Sequence, residues 1–304
     1  YLFAAVYDSQ GGAYGGSASY DDTVHALVSV VRGVYILGSG DDCDSAPYAT
    51  IQPAVDAASA NDTIVICDGA YPLATAVNVS KANLTFHGES TAGTVVDGRD
   101  AVRLFYAVGK DVAFVGLTLQ NGTTDNQQAD GGAVYARSSL VVHDSEIDGN
   151  TSEGAGGAFA VESASSVDID FVSMSDNQST EAFGGAVYVS APGAEITIRN
   201  SDFSENAASW FGGALNIWAY GGRVSIQSSI FTENSAGWYG GAINAWSDLN
   251  VVNNSFVGNF TAEDHNGGGA AIGTGTAEYP EGTSSVTILR NRFSSNSSAG
   301  SGGA

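Results

Sequence analysis

Apolar and polar residues alternate in short segments along much of the chain. Val167–Ile169, Ile196–Ile198 and Val224–Ile226 each place one polar residue between two β-branched residues. A period of two puts alternate side chains on opposite faces of a strand, so that one face is buried. Because these segments show no helical period, the pattern predicts many short strands with an apolar inner face.

The strands belong to a repeat that is marked by the tripeptide Gly-Gly-Ala. Successive copies begin 25, 28, 28, 28, 28 and 34 residues apart. A repeat of this length cannot bury its apolar face alone, whereas stacked copies form a continuous core. A β-propeller fits poorly, because its blades usually need about 40 residues or more. The first glycines of the copies are Gly131, Gly156, Gly184, Gly212, Gly240, Gly268 and Gly302.

A second motif keeps phase with the first and consists of a large apolar residue, two further residues and an asparagine. Stacked strands lie about 4.8 Å apart, so equivalent side chains lie above one another. We therefore predict an internal stack of the apolar residues and a ladder of asparagine amides. The motifs run from Ile147 to Asn150, Met174 to Asn177, Phe203 to Asn206, Phe231 to Asn234, Phe256 to Asn259 and Phe293 to Asn296.

These patterns predict an all-β fold, a right-handed parallel β-helix (solenoid) with a short N-terminal capping α-helix. We expect the β-helix to span residues 34–304, with two or three strands in each repeat and regular repeats over about 111–304. Residues 1–33 are expected to form an N-terminal extension with extra strands, which is a candidate for a contact between subunits.

The cap helix is predicted at about 49–59. Ile51 and Val55 lie on one helical face, and Thr50 is in a suitable position for the N-cap. Such a helix would cover the first coil and shield its edge from solvent.

Cys43 and Cys67 are the two cysteines of the chain. We predict a disulfide between them, of the kind that forms in oxidising compartments; two buried free thiols are the alternative. The bond would join the segment before the cap helix to the first strand after it. Closing this loop would stabilise the fold by about 3 kcal/mol on the chain-entropy model.

The charge of the chain is strongly negative, with 33 acidic residues against 10 basic residues and a formal net charge of -23. Nucleic-acid binding is not expected, because it needs a basic surface that displaces counterions. The sequence contains no apolar run long enough to span a bilayer, so we expect no transmembrane segment.

The paired motifs, Phe-x-x-Asn and Gly-Gly-Ala followed by Ile, Leu or Val, resemble the repeat of the chlamydial polymorphic outer-membrane proteins. The resemblance covers about residues 111–304. The segment Tyr48–Ala58 is similar to the opening of many extracellular parallel β-helix proteins. This resemblance implies a secreted β-helix that serves as an adhesin or a surface passenger domain.

Two aromatic pairs lie one repeat apart, just before the glycines: Trp210 with Phe211, and Trp238 with Tyr239. They predict a surface ridge for a sugar or a protein partner. Local packing against the turn explains them equally well, and both interpretations remain open.

The titratable residues do not favour an enzymatic role. A polysaccharide lyase needs a base and a cation near the substrate carboxylate, and the few basic residues do not cluster at equivalent positions of the repeat. A hydrolase needs two carboxylates on one groove, and Asp144 with Asp168 or Asp170 is a candidate pair. Since acidic residues are abundant, such pairs arise by chance, and we predict that the chain is not an enzyme.

No cofactor is expected. The histidines lie far apart and show no metal-ligand spacing. Asp41, Asp42 and Asp44 are a weak candidate for calcium, and a solvated acidic loop is the favoured interpretation. The histidines are His25, His87, His143 and His265.

Nine Asn-x-Ser/Thr sequons indicate N-linked glycans on a secreted protein, if the host glycosylates. A ladder asparagine that points inward cannot carry a sugar, so the motif asparagines are disfavoured. We expect glycans on Asn61, Asn78, Asn83 and Asn253. The less favoured sequons are those of Asn121, Asn150, Asn177, Asn259 and Asn296.

These observations together predict a secreted structural protein, extracellular or at the cell surface: a subunit of a fibre or filament, or the stalk of an adhesin. The chain stops at a Gly-Gly-Ala, so we expect an open last coil that pairs with the N-terminal strands of the next subunit, giving a head-to-tail homo-oligomer. The alternatives are a monomeric glycan-binding adhesin and a polysaccharide lyase or hydrolase.

Overall fold

The computed structural model describes residues 33–125, 129–262, 268–274 and 285–299, all of which belong to one compact unit, Val31–Ala304. The predicted extension 1–33 lies outside the described residues except for Gly33. The last Gly-Gly-Ala and the expected open coil also lie outside them, so the head-to-tail contact stays a prediction.

The described residues form short strands and one α-helix, α1 (Ile51–Ala57). In chain order the strands are β1 (Val34–Ile36), β2 (Thr63–Ile66), β3 (Gly69–Pro72), β4 (Val77–Asn78), β5 (Leu84–Gly88), β6 (Thr94–Asp97), β7 (Phe105–Val108), β8 (Val112–Val115), β9 (Thr118–Gln120), β10 (Val134–Arg137), β11 (Leu140–His143), β12 (Glu146–Asp148), β13 (Thr151–Ser152), β14 (Phe159–Glu162), β15 (Ser166–Asp170), β16 (Ser173–Ser175), β17 (Gln178–Ser179), β18 (Val187–Ser190), β19 (Glu195–Arg199), β20 (Asp202–Ser204), β21 (Ala207–Ala208), β22 (Leu215–Gln227), β23 (Ile230–Thr232), β24 (Ser235–Ala236), β25 (Ile243–Val252), β26 (Ser255–Val257), β27 (Phe260–Thr261), β28 (Ile272–Thr274), β29 (Val286–Leu289), β30 (Arg292–Ser294) and β31 (Ser297–Ser298).

The strands stack in parallel, coil upon coil, and form four lanes. Lane 1 contains β4, β7, β10, β14, β18, the first halves of β22 and β25, and β28. Lane 2 contains β2, β5, β8, β11, β15, β19, the second halves of β22 and β25, and β29. Lane 3 is the sheet from β3 to β30, and lane 4 is the sheet from β13 to β31. The parallel β-helix is confirmed.

A regular coil contains four strands, as β10 to β13 show, and not the predicted two or three. The strands of lane 4 have only two residues, which is too short for an alternating pattern to reveal them in the sequence. Solenoid coils also begin before residue 111, since β2 already pairs in parallel with β5.

The apolar motif residues form the predicted stack in the core. The ring centroids of Phe203 and Phe231 lie 4.9 Å apart, those of Phe231 and Phe256 4.9 Å, and those of Phe256 and Phe293 5.0 Å. Each pair of rings is nearly parallel, with interplanar angles of 4° to 7°. The spacing equals that of stacked strands, so one ring fills the core of each coil without a gap.

The asparagine ladder is also confirmed, and it lies at the turn between lanes 3 and 4. The Nδ2 of Asn177 donates to Oδ1 of Asn206 at 3.0 Å, and Nδ2 of Asn206 donates to Oδ1 of Asn234 at 2.9 Å. The same oxygens accept backbone N–H groups of the preceding coil, as Asn206 Oδ1 does from Asn177. The ladder therefore satisfies buried backbone groups where no strand pairing is present. It runs through Asn150, Asn177, Asn206, Asn234, Asn259 and Asn296.

A second ladder, which the sequence analysis missed, lies at the turn between lanes 2 and 3. The backbone N–H of Ser201 donates to Oγ of Ser229 at 3.2 Å, and that of Ser229 donates to Oδ1 of Asn254 at 2.8 Å. Asn254 in turn donates to Asn291 through its own N–H and its Nδ2. Serine and asparagine both supply the required acceptor, so the position has no constant residue type to signal it.

The residue just before this second ladder is in the left-handed region in each of these coils, and its side chain points outward. Its φ is between 49° and 58° although five different residue types occupy the position. This outward column consists of Asp144, Phe171, Asn200, Ser228, Asn253 and Arg290.

The Gly-Gly pair is required by two different contacts, as Gly212 and Gly213 show. Gly212 has a φ of 66°, and a Cβ there would meet the carbonyl oxygen of Leu215. A Cβ on Gly213 would meet the carbonyl oxygen of Gly241 in the next coil. The first glycine is therefore needed for the turn and the second for the close approach of two coils.

The cap helix is confirmed, over shorter bounds than predicted. Ile51, Ala54 and Val55 are buried, and α1 packs against β1, β2 and β4 at the start of the solenoid. Thr50 occupies the N-cap position as predicted, but its side chain makes no capping hydrogen bond. Burial of the apolar face, rather than the cap, therefore stabilises this short helix.

The disulfide between Cys43 and Cys67 is confirmed, with Cα atoms 5.6 Å apart. It joins the loop after β1 to the end of β2, with which β1 pairs in an antiparallel manner. The bond therefore anchors the loop to the first coil.

We expect the substitution Asn206→Ala to leave the N–H of Asn177 and the carbonyl of Met174 unpaired in the core. Since unpaired buried groups each cost about 1–3 kcal/mol, the free energy of unfolding should fall by about 3 kcal/mol. Urea unfolding followed by circular dichroism measures the change. Asn250→Ala, at a partly exposed outward position, is the matched control and should change it by less than about 0.5 kcal/mol. Equal losses in the two variants would contradict the ladder.

Candidate binding face

The predicted aromatic ridge lies in the turns that lead from lane 4 to lane 1. The rings of Trp210 and Trp238 are stacked, with centroids 5.7 Å apart and an interplanar angle of 5°. Phe211 and Tyr239 form a second pair, 5.4 Å apart, and their backbones pair in parallel. The structure thus brings the four predicted residues together in two adjacent columns.

A further row of aromatic residues, which sequence reasoning missed, points outward from the strands of lane 1. Trp218 and Trp246 occupy the same register position in β22 and β25, and their ring centroids lie 5.7 Å apart. The ring of Tyr188, on β18, lies 5.5 Å from that of Trp218. The 28-residue step from Trp218 to Trp246, at an outward position of each strand, was the signal that could have found them.

Phe183 connects the turn residues with the strand residues. Its ring centroid lies 5.3 Å from that of Phe211, 5.3 Å from that of Trp210 and 4.9 Å from that of Trp218. The turn therefore folds back onto the outer face of lane 1, as the packing interpretation expects. Nevertheless Trp210 remains 43% exposed, so part of the cluster faces solvent.

All four tryptophans of the chain belong to this cluster. An outer face with this composition differs from ordinary surface, because large aromatic residues concentrate at binding surfaces. We call it the aromatic face and define it as Phe183, Tyr188, Trp210, Phe211, Trp218, Tyr220, Trp238, Tyr239 and Trp246.

Lane 1 continues the aromatic residues towards the N-terminal coils. Tyr106 and Tyr135 are stacked at 5.6 Å, and the guanidinium of Arg103 lies 5.6 Å and 5.4 Å from their ring centroids. Arg103 is buried and donates to the carbonyl oxygens of Asp130 and Gly131 in the next coil. This cation therefore holds the first Gly-Gly turn against the preceding coil.

Polar groups accompany the aromatic rings. Asn216 and Asn244 lie in outward positions between the two rows, and Nδ2 of Asn244 donates to Oδ1 of Asn216 at 2.7 Å. Asn216 is fully buried, and its Nδ2 and the Nε1 of Trp218 have no acceptor among the described residues. Burial also raises the pKa of the Tyr188 hydroxyl, which therefore stays protonated. The face thus holds hydrogen-bond donors as well as rings.

A separate charged cluster lies on the outer face of lane 2. His143 Nε2 lies 3.2 Å from Asp168 Oδ2, and the guanidinium of Arg199 lies 3.3 Å from Asp168 and 2.9 Å from Asp170. Of the carboxylates predicted as hydrolase candidates, Asp168 and Asp170 thus face the same side of β15. Asp144 is exposed in the turn after β11. One arginine therefore neutralises both strand carboxylates, which opposes an acid and base pair with separated roles.

The remaining candidates occupy other surfaces. The carboxylate of Asp42 accepts a hydrogen bond from the hydroxyl of Ser45 at 2.7 Å, which lowers the pKa of Asp42. Calcium binding by this loop stays a prediction. Among the described residues, the one cluster with metal-ligand geometry contains Cys43, Cys67 and Glu89, and its cysteines form the disulfide. His87 is exposed on β5, whereas His25 and His265 lie outside the described residues.

The sequons fall into two groups according to exposure. Asn61, Asn78, Asn83 and Asn253 are exposed, as their choice as glycan carriers requires. Asn150, Asn177 and Asn259 are fully buried in the ladder, whereas Asn121 and Asn296 are partly exposed. In the described part of the chain, no helix combines the length and hydrophobicity of a membrane-spanning segment.

Comparison with known proteins yields one match. The family described as "Right handed beta helix region" matches residues 73–280, which is more than half of the chain. No curated protein and no solved structure matches the chain significantly.

When the chain is produced in a host that adds N-linked glycans, we expect modification at Asn61, Asn78, Asn83 and Asn253 and none at Asn150, Asn177 or Asn259. The buried amides are engaged in the ladder, and a glycan there would break it. Mass spectrometry of glycopeptides measures the occupancy of each sequon. A glycan on Asn177 of the folded protein would contradict the ladder.

Proposed function

Since the chain belongs to the right-handed β-helix family, we propose that it is a secreted structural protein, the stalk of a surface adhesin of the kind that the chlamydial-type repeats suggest. In this proposal the solenoid is the rigid support and the aromatic face is the adhesive surface. The observation that carries it is the concentration of all four tryptophans on one outer face.

The stacked construction supports a role as a stalk. Strand pairing bonds each described coil to the next, and from Asn150 onward the asparagine ladder and the second ladder add further bonds between coils. The nine strands of lane 3 span about 40 Å at a strand spacing of about 4.8 Å. Because every described coil is bonded to its neighbours, the array is a rigid rod that holds its two ends at a fixed separation. Such rigidity suits a support.

The disulfide, the exposed sequons and the charge support secretion. A disulfide persists in oxidising compartments outside the cytosol. Four sequon asparagines are exposed and accessible to a glycosylating enzyme. A net charge of -23 keeps an extracellular protein soluble at high concentration.

The charged cluster on lane 2 favours a second candidate, a polysaccharide lyase or hydrolase. His143, Asp168, Asp170 and Arg199 are the types of residue that such enzymes use. The pairing of both carboxylates with Arg199 makes a structural role the better explanation, because it neutralises two carboxylates that lie on one strand, β15, and would otherwise repel each other.

For the first candidate we expect beads coated with the purified chain to adhere to one or more of cellulose, chitin, mucin and collagen surfaces. The double variant Trp210→Ala and Trp238→Ala should retain about a tenth or less of that adhesion, since each aromatic contact contributes about 0.5–1.5 kcal/mol. Bead retention under flow is the measurement. Phe171→Ser is the control, because it removes an aromatic side chain that is 60% exposed and equivalent to Ser228 in a later coil. Full adhesion of the double variant would reject the adhesive face.

For the second candidate we expect no release of reducing ends or unsaturated products from polygalacturonate, alginate or xylan. Reducing-end assays and absorbance of unsaturated uronates measure the two reactions. Turnover by the wild-type chain that is lost in Asp168→Asn, with unchanged thermal unfolding, would establish an enzyme instead.

A further inference from the structure

The aromatic residues of lane 1 run parallel to the solenoid axis and not across it. Tyr106, Tyr135, Tyr188, Trp218 and Trp246 belong to successive or nearby coils of the same lane. The turn aromatics Phe183, Trp210 and Trp238 follow the same direction. From β7 to β25 the lane rises by five strand spacings, about 24 Å. A ligand that uses this length must itself be extended.

We propose that the aromatic face binds an uncharged linear glycan that lies along the solenoid axis. This inference rests on the adhesive role proposed above and assigns its ligand class. It draws on three independent features: the repeat of the rings, the donors between them and the charge of the chain.

The repeat of the rings suits a polymer. Both tryptophan pairs, Trp210 with Trp238 and Trp218 with Trp246, have a centroid separation of 5.7 Å, one coil apart. This distance is comparable with the length of one pyranose residue in an extended chain. Successive sugar residues therefore meet equivalent rings in successive coils. The apolar C–H faces of pyranoses pack on aromatic rings, while their hydroxyl groups remain at the edges.

The donors favour a hydroxylated ligand over a purely apolar one. Nδ2 of Asn216 and Nε1 of Trp218 have no acceptor among the described residues although both atoms are buried. An unpaired buried donor is unfavourable, and a ligand oxygen that accepts its hydrogen bond removes that cost. Both donors are buried among the aromatic rings, so a ligand oxygen reaches them only when the neighbouring rings move aside. The fluorescence of tryptophan reports this shift, since every tryptophan of the chain is in the face.

The charge excludes a polyanionic glycan. The chain carries a net charge of -23, which repels uronate or sulfate polymers. Two arginines of the N-terminal coils are already engaged: Arg103 with two carbonyl oxygens and two tyrosine rings, and Arg137 with Glu162 at 3.5 Å. Neither cation is therefore available to an acidic sugar without the loss of these contacts. An uncharged glycan is attracted by the rings and donors without this penalty.

The test is titration of the full chain with soluble oligosaccharides, followed by tryptophan fluorescence and calorimetry. The uncharged probes are the hexasaccharides of cellulose, xylan, mannan and chitin, and the acidic probe is hexagalacturonate. We expect binding of at least one uncharged hexasaccharide, weaker binding of the corresponding disaccharide and no binding of the acidic probe. Binding confined to the acidic probe, or no binding of any uncharged hexasaccharide, overturns the assignment.

Variants separate the rings from the donors. Trp210→Ala should weaken binding about tenfold, as the loss of one aromatic contact does. Trp218→Phe keeps a ring and removes the Nε1 donor, and it should also weaken binding about tenfold without loss of the native fold, as far-UV circular dichroism measures. Phe171→Ser, outside the aromatic face, should bind as the wild type does. Equal weakening in Phe171→Ser, or unchanged binding in both tryptophan variants, overturns the proposal.

The outcomes also distinguish the ligand class from the adhesive role. If no hexasaccharide binds but the Trp210→Ala and Trp238→Ala beads lose adhesion to collagen, the face is adhesive and its ligand is a protein. If neither measurement depends on the tryptophans, the adhesive role and the glycan both fail.

Discussion

The fold depends on hydrogen bonds that each coil makes only with its neighbours. A two-residue strand such as β17 cannot hold its position alone, and the amides of Asn177 and Asn206 supply the bonds that the strand lacks. The inward amide is isolated from water, so its loss leaves several buried backbone groups without hydrogen-bond partners at once. An asparagine therefore recurs once in each coil from Asn150 to Asn296, because each amide bonds to the one stacked on it. The stacked phenylalanines then fill the space that the ladder defines.

The sequence predicts most of the solenoid because its constraints recur at a constant step. Gly212 is required by its turn and Gly213 by the close approach of the next coil, so both positions show as glycine in the sequence. The fold and the Asn206 ladder are therefore accessible from the sequence, and the disulfide follows from the presence of only two cysteines. The second ladder was not, because Ser229 and Asn254 satisfy the same backbone donor with different side chains. The lane of two-residue strands was missed because alternation cannot be recognised over so short a segment.

The candidate site was predicted only in part for a related reason. Trp210 and Trp238 closely precede the recognisable Gly-Gly pairs. Trp218 and Trp246 instead lie within strands, where aromatic residues are common and give no functional signal. The two rows associate because the turn folds back onto lane 1, where Phe183 contacts both Phe211 and Trp218. Such a contact depends on the path of the turn, and local sequence does not specify it. The donors of Asn216 and Trp218 are likewise visible only once their surroundings are known.

The outward column that contains Asp144, Phe171, Asn200, Ser228, Asn253 and Arg290 has a consequence for variation of the protein. The backbone at these positions is held in the left-handed region by the bonds on either side, at a cost of roughly 1–2 kcal/mol per residue that the ladders offset. Because acidic, aromatic, amide, hydroxyl and basic side chains all occupy it, the column tolerates exchange of chemical character without a change of fold. It is a set of evenly spaced, independently mutable sites along a rigid rod. Substitutions at these positions can therefore change the surface of the protein during evolution while the core stays the same. A designer can use the same positions to display a row of chosen side chains along the solenoid.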